Sequence, residues 1–373
     1  MGSGNKKVVV ARSGGVDSSV AAALLVERGY DVTGMMLRLW NEPGTESANR
    51  CCTPDSIALA RQVALKISIP FYVIDARQPF HDVVVRNFLA DYAQGVTPNP
   101  CLNCNRYIRF GLLLNHALAL RAEFLATGHY ARLKKDGKGK IQLLRALDQA
   151  KDQSYVLHVL NQEQLSRGLF PIGDYTKEQV RQLAIRYNLP VAARRDSQDL
   201  CFLAGGDYRS FLFRNAPASL RPGKIITRSG KEVGEHGGLA LFTIGQRKGL
   251  GVTGDQPFYV IDKDIPNNIL IIGKKEELGS TSLSARDFNW ISEEIPANPF
   301  KAMVKIRYKA IDTWGTVYPR SENTILINFD QPLKAITPGQ AAVVYQDQIC
   351  LGGGIIEQSN IPVQMIEDQD HLI

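Results

Sequence analysis

Cys101 and Cys104 stand three positions apart in the stretch TPNPCLNCN, which two prolines and an asparagine stiffen. A third thiol, Cys201, lies in RRDSQDLCFLAGG, with Arg194 and Arg195 upstream and Asp196 and Asp199 between. Three chemistries fit these residues. A structural zinc needs four ligands, usually as two close pairs; the other close pair is Cys51 and Cys52, which are adjacent and poorly spaced. An iron–sulfur cluster on Cys101, Cys104 and Cys201 would leave one iron open for sulfur chemistry. Covalent chemistry needs a thiolate. A helix starting near Asn103 would place its positive end at Cys104, with Arg106 and Arg109 nearby, and so favour the thiolate there. Cys201 is then suited to carry an extra sulfur, its plain alternative being a buried core thiol. The residues alone leave these alternatives open.

A second motif is ARSGGVDSS, residues 11–19, between an apolar run and a helical stretch. Gly14 and Gly15 let the backbone turn tightly with its amides inward. Ser13, Ser18 and Ser19 add hydroxyls, and the helix start adds unsatisfied amides. Such a turn cradles phosphate, although it has neither the Walker lysine nor the glycine spacing of a dinucleotide fold. The plain alternative is a connection capped by Asp17 or Ser18. Asp17 orients the loop or helps hold Mg²⁺. Ser13-Gly14-Gly15-Val16-Asp17-Ser18 resembles the pyrophosphate-binding loop of the ATP pyrophosphatases, which adenylate a substrate oxygen and release pyrophosphate.

Strands alternating with helices must position these motifs. KKVVVA, YDVTGMMLRLW, PFYVIDA and EFLATGHYA read as four strands, with helices between them, over about 79–94, and later over 151–165 and 176–188. This predicts an α/β domain with a parallel, Rossmann-like sheet covered by helices. From about residue 213 the texture changes to short strands and glycine-rich turns, which predicts a small β-rich central domain and a C-terminal β-barrel. The expected division is 1–212, 213–278 and 279–360, with a polar tail over 361–373. The 373 residues carry a formal charge of +7, 44% hydrophobic and 22% charged residues, which fits a globular protein and mildly favours polyanionic partners. No secretory segment opens the chain and no apolar run reaches the roughly 18 residues of a membrane span. Six cysteines are sparse for this length, so a reducing cytoplasm is the expected location.

The motifs together resemble the tRNA-specific 2-thiouridylase family. The matching stretches are SGGVDSSVAA (13–22), TPNPCLNCNRYIRF (97–110), LATGHYAR (125–132), KDQSYVL (151–157), SQDLCFL (197–203), FTIGQRKGLG (242–251), KIRY (305–308) and PGQAAVVY (338–345). The resemblance implies an enzyme that moves persulfide sulfur to C2 of the wobble uridine of tRNA, with ATP and Mg²⁺. Cys104 matches the nucleophile and Cys201 the persulfide carrier. Ala11, Arg12, Ser13, Gly14, Gly15, Val16, Asp17, Ser18, Leu37 and Gly128 match ATP-binding positions. Asn99, Pro100 and Cys101 match the loop that meets the target base; many relatives have aspartate in place of Cys101. His129, Lys151, Asp152, Gln153, Arg307, Tyr308 and Gln340 match tRNA-contacting positions, and Arg132 is a further candidate for phosphate. Implied partners are the anticodon arm of glutamate, glutamine and lysine tRNAs, a sulfur-relay or cysteine desulfurase donor, and a reductant that resets a Cys104–Cys201 or Cys101–Cys104 disulfide. Cys51 and Cys52 receive no role, and Cys350 is expected in the core.

Three rival functions fit parts of this pattern. Another adenylating ligase would need no thiols, and an RNA-binding protein would need no ATP. A cluster-dependent thiolase would use the same three cysteines to hold iron.

Overall fold

Three consecutive valines, buried on both faces, make strand β1 (Lys7–Arg12) the centre of a parallel sheet. The computed structural model describes residues 5–44, 53–194, 200–203, 206–253 and 256–357. Strands β2 (Asp31–Arg38), β3 (Phe71–Asp75) and β4 (Phe124–Ala126) follow, then a hairpin of β5 (Arg132–Lys135) and β6 (Ile141–Leu144), and β7 (Gly168–Leu169). The sheet order is β3-β2-β1-β4-β7, and every pairing in it is parallel. The chain builds outward from β1 to β3, then returns to the other side of β1 at β4. Such a reversal leaves a crevice beyond the carboxyl ends of β1 and β4, where ligands of open α/β sheets bind.

Helices cover both faces. On one, Val16, Val20, Ala21 and Leu24 of the helix Val16–Glu27 pack with Val180 and Ala184 of the helix Lys177–Arg186. On the other, the helical runs 77–93 and 100–119 share a core with Val9, Met35 and Leu37. Two expectations about helices change. The run expected over 151–165 is two short helices, Ser154–Leu157 and Gln162–Ser166, because Asn161 opens the second with a reciprocal capping box to Gln164. The helix expected near Asn103 begins at Pro100, where Asn99 caps it and proline occupies the first turn.

The central sheet contains β8 (Gly223–Thr227), β9 (Glu232–His236), β10 (Tyr259–Asp264) and β11 (Ile269–Gly273) in the order β10-β11-β8-β9. It stays open and has its own core around Ile225, Val260, Leu270 and Ile272. The C-terminal strands are β12 (Ser280–Trp290), β13 (Phe300–Lys305), β14 (Thr313–Ser321), β15 (Thr324–Leu333), β16 (Ala341–Gln346) and β17 (Ile349–Ile356). Pairing of β12 with both β15 and β17 closes them into a six-stranded barrel. No helix among the described residues is long and apolar enough to cross a membrane.

The α/β domain and the barrel share one core. The β5–β6 hairpin, absent from the sequence expectation, leaves the parallel sheet and pairs through β6 with β17. Its strands are short and half-exposed, so their apolar pattern becomes legible only against the barrel edge. Tyr155 Oη donates to Ala341 O at 3.0 Å, and Asn289 Nδ2 donates to His158 O at 2.6 Å and Leu160 O at 2.9 Å. Tyr345 and Cys350 are buried in the same cluster as Tyr155 and Leu160, as expected of Cys350. The central domain is tied in by Lys263 Nζ, which donates to Gly95 O at 2.8 Å.

Candidate active site

The glycine loop lies at the crevice. Gly15 is the N-cap of the helix Val16–Glu27 and supplies no side-chain cap, so Asp17 and Ser18 lie inside the first turn rather than capping it. Gly14 takes φ +71°, a conformation that glycine adopts at little cost. The hydroxyls knit the turn: Ser13 N donates to Ser18 Oγ at 3.3 Å, and Ser19 Oγ donates to Gly15 O at 2.7 Å. From beyond β4, Gly128 presses against this turn. A β-carbon there would stand 2.6 Å from Ser18 N and 2.8 Å from the Asp17 carbonyl carbon. Leu37 and Ala11 pack with Val9 on the opposite face of the sheet from the helix Val16–Glu27.

Cations surround the loop, Arg12 from its edge and Arg194 and Lys177 from distant parts of the chain. Arg12 is buried; its Nη2 donates to Ser19 Oγ at 2.9 Å, while Nε and Nη1 have no partner. Burial lowers the Arg12 pKa to about 10. Arg194 Nη1 donates to Gly14 O at 2.8 Å and its Nη2 to Ser56 Oγ at 3.1 Å. Lys177 Nζ holds both oxygens of Asp17, at 2.7 and 2.9 Å, and Tyr130 Oη donates to Asp17 Oδ1 at 2.9 Å. Uncapped amides, paired hydroxyls and a contact that only glycine permits fit the phosphates of ATP. The Asp17 carboxylate is an oxygen donor of the kind Mg²⁺ takes.

The thiols occupy the other face of the sheet. Asn99 Oδ1 accepts from Cys101 N at 3.2 Å, so the helix start belongs to Asn99 and Pro100. Cys104 therefore lies a turn inside the helix, beyond the strongest reach of the dipole, contrary to the expected N-terminal placement. The chain from Cys104 to Leu113 is wound as a π-helix, a wide form common at functional sites. Gln164 Nε2 donates to the carbonyls of Arg106 (3.1 Å) and Phe110 (2.9 Å), and Asn105 Nδ2 donates to Val156 O at 3.0 Å. Cys104 is buried in an apolar cluster with Val9 and Leu37, and Cys201 packs against the same cluster. Phe202 anchors the Cys201 segment, its ring 5.1 Å from that of Phe88 and 5.4 Å from that of Phe211.

Cys101 faces solvent, yet the protein crowded around it pushes its thiol up to about 11; the Cys104 thiol adds to the rise and Arg109 opposes it. Among the described residues, Cys101, Cys104, Cys201 and Cys350 are joined by no disulfide. Among the described residues no three His, Cys, Asp or Glu side chains are arranged to hold a metal ion. The three-thiolate cluster is thereby corrected: Cys101 is turned to solvent while Cys104 is buried among apolar side chains, and with Cys201 they form no common donor set. Cys51 and Cys52 lie outside the described residues, as do Arg195, Asp196 and Asp199.

The residues matched to tRNA contacts divide into exposed and engaged ones. Tyr308 is exposed, and its ring lies 6.4 Å from that of Tyr155. Its pKa is raised by burial of the hydroxyl first and by Asp152 and Cys101 next. Arg307 bonds to Ile244 O at 3.0 Å and to the Thr337 hydroxyl. Gln340 Nε2 donates to Thr97 O at 2.9 Å and so braces the segment that leads to Asn99. Asp152 is buried, accepting from Ala146 N at 2.9 Å and Ser154 Oγ at 2.8 Å. Gln153 Oε1 accepts from Tyr130 N at 3.0 Å. His129 is buried between Arg109 Nη1 and Thr127 Oγ1, each at 2.8 Å; burial, then Arg109, holds its pKa well below the usual range. Lys151 and Arg132 are half-buried, Arg132 Nε donating to Arg145 O at 2.8 Å.

Comparison with known proteins narrows this geometry. Three family models tile the chain: a tRNA methyl transferase HUP domain over residues 6–205, a tRNA methyl transferase PRC-barrel domain over 209–274 and an aminomethyltransferase beta-barrel domain over 280–356. The tRNA-specific 2-thiouridylase MnmA of Natranaerobius thermophilus is 46% identical over 358 residues, covering 94% of this chain and 97% of its own. That of Magnetococcus marinus is 45% identical, covering 94% and 99%, and that of Chloroflexus aggregans is 45% identical, covering 95% and 99%. The chain belongs to the tRNA-specific 2-thiouridylase family.

Several residues around this thiouridylase site were not legible as site residues. Lys177, Tyr130 and Arg194 reach the loop from more than a hundred positions away. One local signal exists for Lys177. Thr176 and Gln179 form a capping box, which puts a lysine at the first position of a helix, where a cation is unfavourable without an anion nearby. Gln164 carries no such signal, since its role depends on where the π-helix exposes carbonyls.

Proposed function

We propose that this thiouridylase adenylates O2 of the wobble uridine of tRNA with ATP and replaces it with sulfur carried as a persulfide on Cys201. The observation that carries this reading is one apolar cluster that holds Cys104 and Leu37 and against which Cys201 and Ala11 pack. Thiols far apart in sequence thus meet the strands that lead to the phosphate loop.

Uridine O2 attacks the α-phosphorus of ATP and pyrophosphate leaves. Amides and hydroxyls from Ser13 to Ser18 stabilise the charge that develops on it; losing one such preorganised donor typically costs about 3 kcal/mol. Asp17 would hold Mg²⁺, which supplies charge neutralisation at the phosphates. The terminal sulfur of the Cys201 persulfide then attacks C2 and AMP leaves. Cys104, as thiolate, attacks the inner sulfur of that persulfide, releasing the 2-thiouridine and leaving a Cys104–Cys201 disulfide. A dithiol reductant restores both thiols. Exclusion of water by the segment around Cys201 would protect the adenylate.

For the base, Asn99, Pro100 and Cys101 form the rim on which the flipped uridine would lie, and Tyr308 offers a ring for stacking. Lys151, Arg132 and Arg307 are the proposed phosphate contacts, with Asp152, Gln153, His129 and Gln340 shaping the surface beneath. The division proposed is a catalytic domain over 1–212, a central domain over 213–278 and a tRNA-contacting barrel over 279–360. Glutamate, glutamine and lysine tRNAs are the proposed substrates. A cysteine desulfurase or sulfur-relay protein in the cytoplasm is the proposed donor.

Incubation of the chain with tRNA, ATP, Mg²⁺ and a sulfide source, followed by nucleoside analysis, tests this reading. The expected products are 2-thiouridine, AMP and pyrophosphate. Cys104→Ser and Cys201→Ser should each abolish thiolation while retaining tRNA-dependent pyrophosphate release. Thiolation that survives both substitutions would overturn the persulfide route. The methyl transfer in two of the family descriptions predicts a different result, methylated tRNA from an activated methyl donor without ATP cleavage. The phosphate loop and paired thiols support the sulfur reading instead.

A further inference from the structure

The sulfur chemistry uses no residue of the central domain, yet that domain buries an ammonium against the chain that leads to Asn99. Lys263 of β10 is 5% exposed, and its Nζ donates to Gly95 O at 2.8 Å. Burying an ammonium is costly unless it is paired. Here it meets a helix end. Gly95 follows the helix Arg86–Ala93 with φ +73°; its N donates to Tyr92 O at 2.9 Å, and Val96 N donates to Asp91 O at 3.0 Å. These are the two bonds of a Schellman stop, and they leave the Gly95 carbonyl at the negative end of the helix, where a cation is favoured. Four residues later Asn99 caps the helix that begins at Pro100.

The barrel grips the same segment from its own side. Thr97 N donates to Pro338 O at 3.0 Å, and Gln340 Nε2 donates to Thr97 O at 2.9 Å. Gly339 takes φ +88°, and a β-carbon there would stand 2.2 Å from Val96 Cγ1. Arg307 Nη2 joins the two domains, donating to Ile244 O of the central one and to the Thr337 hydroxyl of the barrel. At this three-way junction lies a cavity of about 190 Å³, lined among others by Val96, Thr97, Lys263, Arg286, Gly339 and Glu357. Close-packed side chains do not back the segment there, so it has room to retreat unless it is tied.

We propose that Lys263 is a positioning residue for the target base: through Gly95 it fixes the 95–99 segment, and with it the place where Asn99, Pro100 and Cys101 meet the flipped uridine. The central domain thereby acts on the reaction without touching substrate. Loss of the ammonium lets the segment shift toward the cavity, and uridine O2 then no longer lines up with the α-phosphorus. This inference rests on the reading of Asn99 to Cys101 as the rim for the base.

Turnover of the full chain, measured as tRNA-dependent pyrophosphate release at varied tRNA, tests it. Lys263→Met fills the same slot without the ammonium. It should lower kcat by about 10- to 100-fold and leave the KM for tRNA within about threefold, because phosphate contacts elsewhere supply most of the affinity. Lys263→Arg, which can still donate to Gly95 O, should recover most of the loss. Gly339→Ala presses on Val96 from the barrel and should give the same split between kcat and KM. A folded Lys263→Met chain with wild-type kcat, whatever its urea midpoint, would make the lysine a structural tie only. A loss confined to KM would make the central domain a direct tRNA contact. Either result overturns the inference. Asn99→Ala is the reference: its loss of kcat beside wild-type turnover in Lys263→Met sinks this inference alone, whereas wild-type turnover in Asn99→Ala sinks the base-rim reading and this inference with it.

Discussion

Alanine at Gly128 should uncouple ATP chemistry from folding. The new β-carbon would stand 2.6 Å from Ser18 N, 2.8 Å from the Asp17 carbonyl carbon and 3.0 Å from Ser18 Cα, all backbone atoms of the phosphate turn. An ordinary contact begins at 3.4 Å, so the turn must retreat by about 0.8 Å. Gly128 is not in a positive-φ conformation, so the strain arises from the close approach. Overpacking of this kind costs about 1–3 kcal/mol of stability. Displacing reacting groups by about 1 Å can cost on the order of 10²-fold in rate. Gly128→Ala is therefore expected to stay folded while losing roughly 10²-fold in kcat/KM for ATP, measured as tRNA-dependent AMP formation. Urea denaturation alongside measures the stability term. Gly137→Ala is the control, because a β-carbon there meets nothing within 4 Å. Wild-type turnover by a folded Gly128→Ala chain would refute the argument that this glycine sets the position of the phosphate turn.

Two further expectations concern the supports of the site. His129 and His158 are buried, and burial lowers both imidazole pKa values, that of His158 to about 4. Their folded values lie below the unfolded value near 6.5, so the unfolded chain binds more protons and stability falls as pH drops below about 6.5. His158 alone should cost about 2 kcal/mol between pH 6.5 and 5, and His129 adds in the same direction. Imidazole resonances of the two that titrate above pH 6, with identical urea midpoints at pH 7 and 5, would contradict this. Gln164→Ala removes the donor to two π-helix carbonyls and should cost about 1–3 kcal/mol, with faster alkylation of Cys104 in the loosened helix. Unchanged stability and labelling rate would mean that the winding from Cys104 to Leu113 does not depend on Gln164.

Particular elements explain how far the sequence could be read. Three valines before a glycine turn placed β1 and the turn into the helix Val16–Glu27 correctly, since both depend on neighbouring residues. The change of texture after the α/β region announced the β domains, and closure of the last one into a barrel followed its alternating strands. Asn99-Pro100 is a helix N-cap followed by a first-turn proline, a signal legible locally, yet the helix was expected from Asn103; that shift moved Cys104 away from the dipole. The β5–β6 hairpin escaped because its short strands are completed by β17, a partner about two hundred residues later.

The amino-acid sequence by itself determined the motifs: a glycine turn that can hold phosphate, three thiols suited to sulfur chemistry, and the family those motifs spell. Each is set by bonds and contacts within a few residues. Tertiary structure alone decided which side chains meet at them. The return of the chain across β1 to β4 brings Gly128 onto the phosphate turn, and helix packing brings Lys177 onto Asp17. Docking of the barrel brings the Tyr308 ring to 6.4 Å from that of Tyr155 and braces Thr97 with Gln340. These encounters follow from burying apolar faces laid down far apart in the chain, a property of the whole packing that no local pattern of residues encodes.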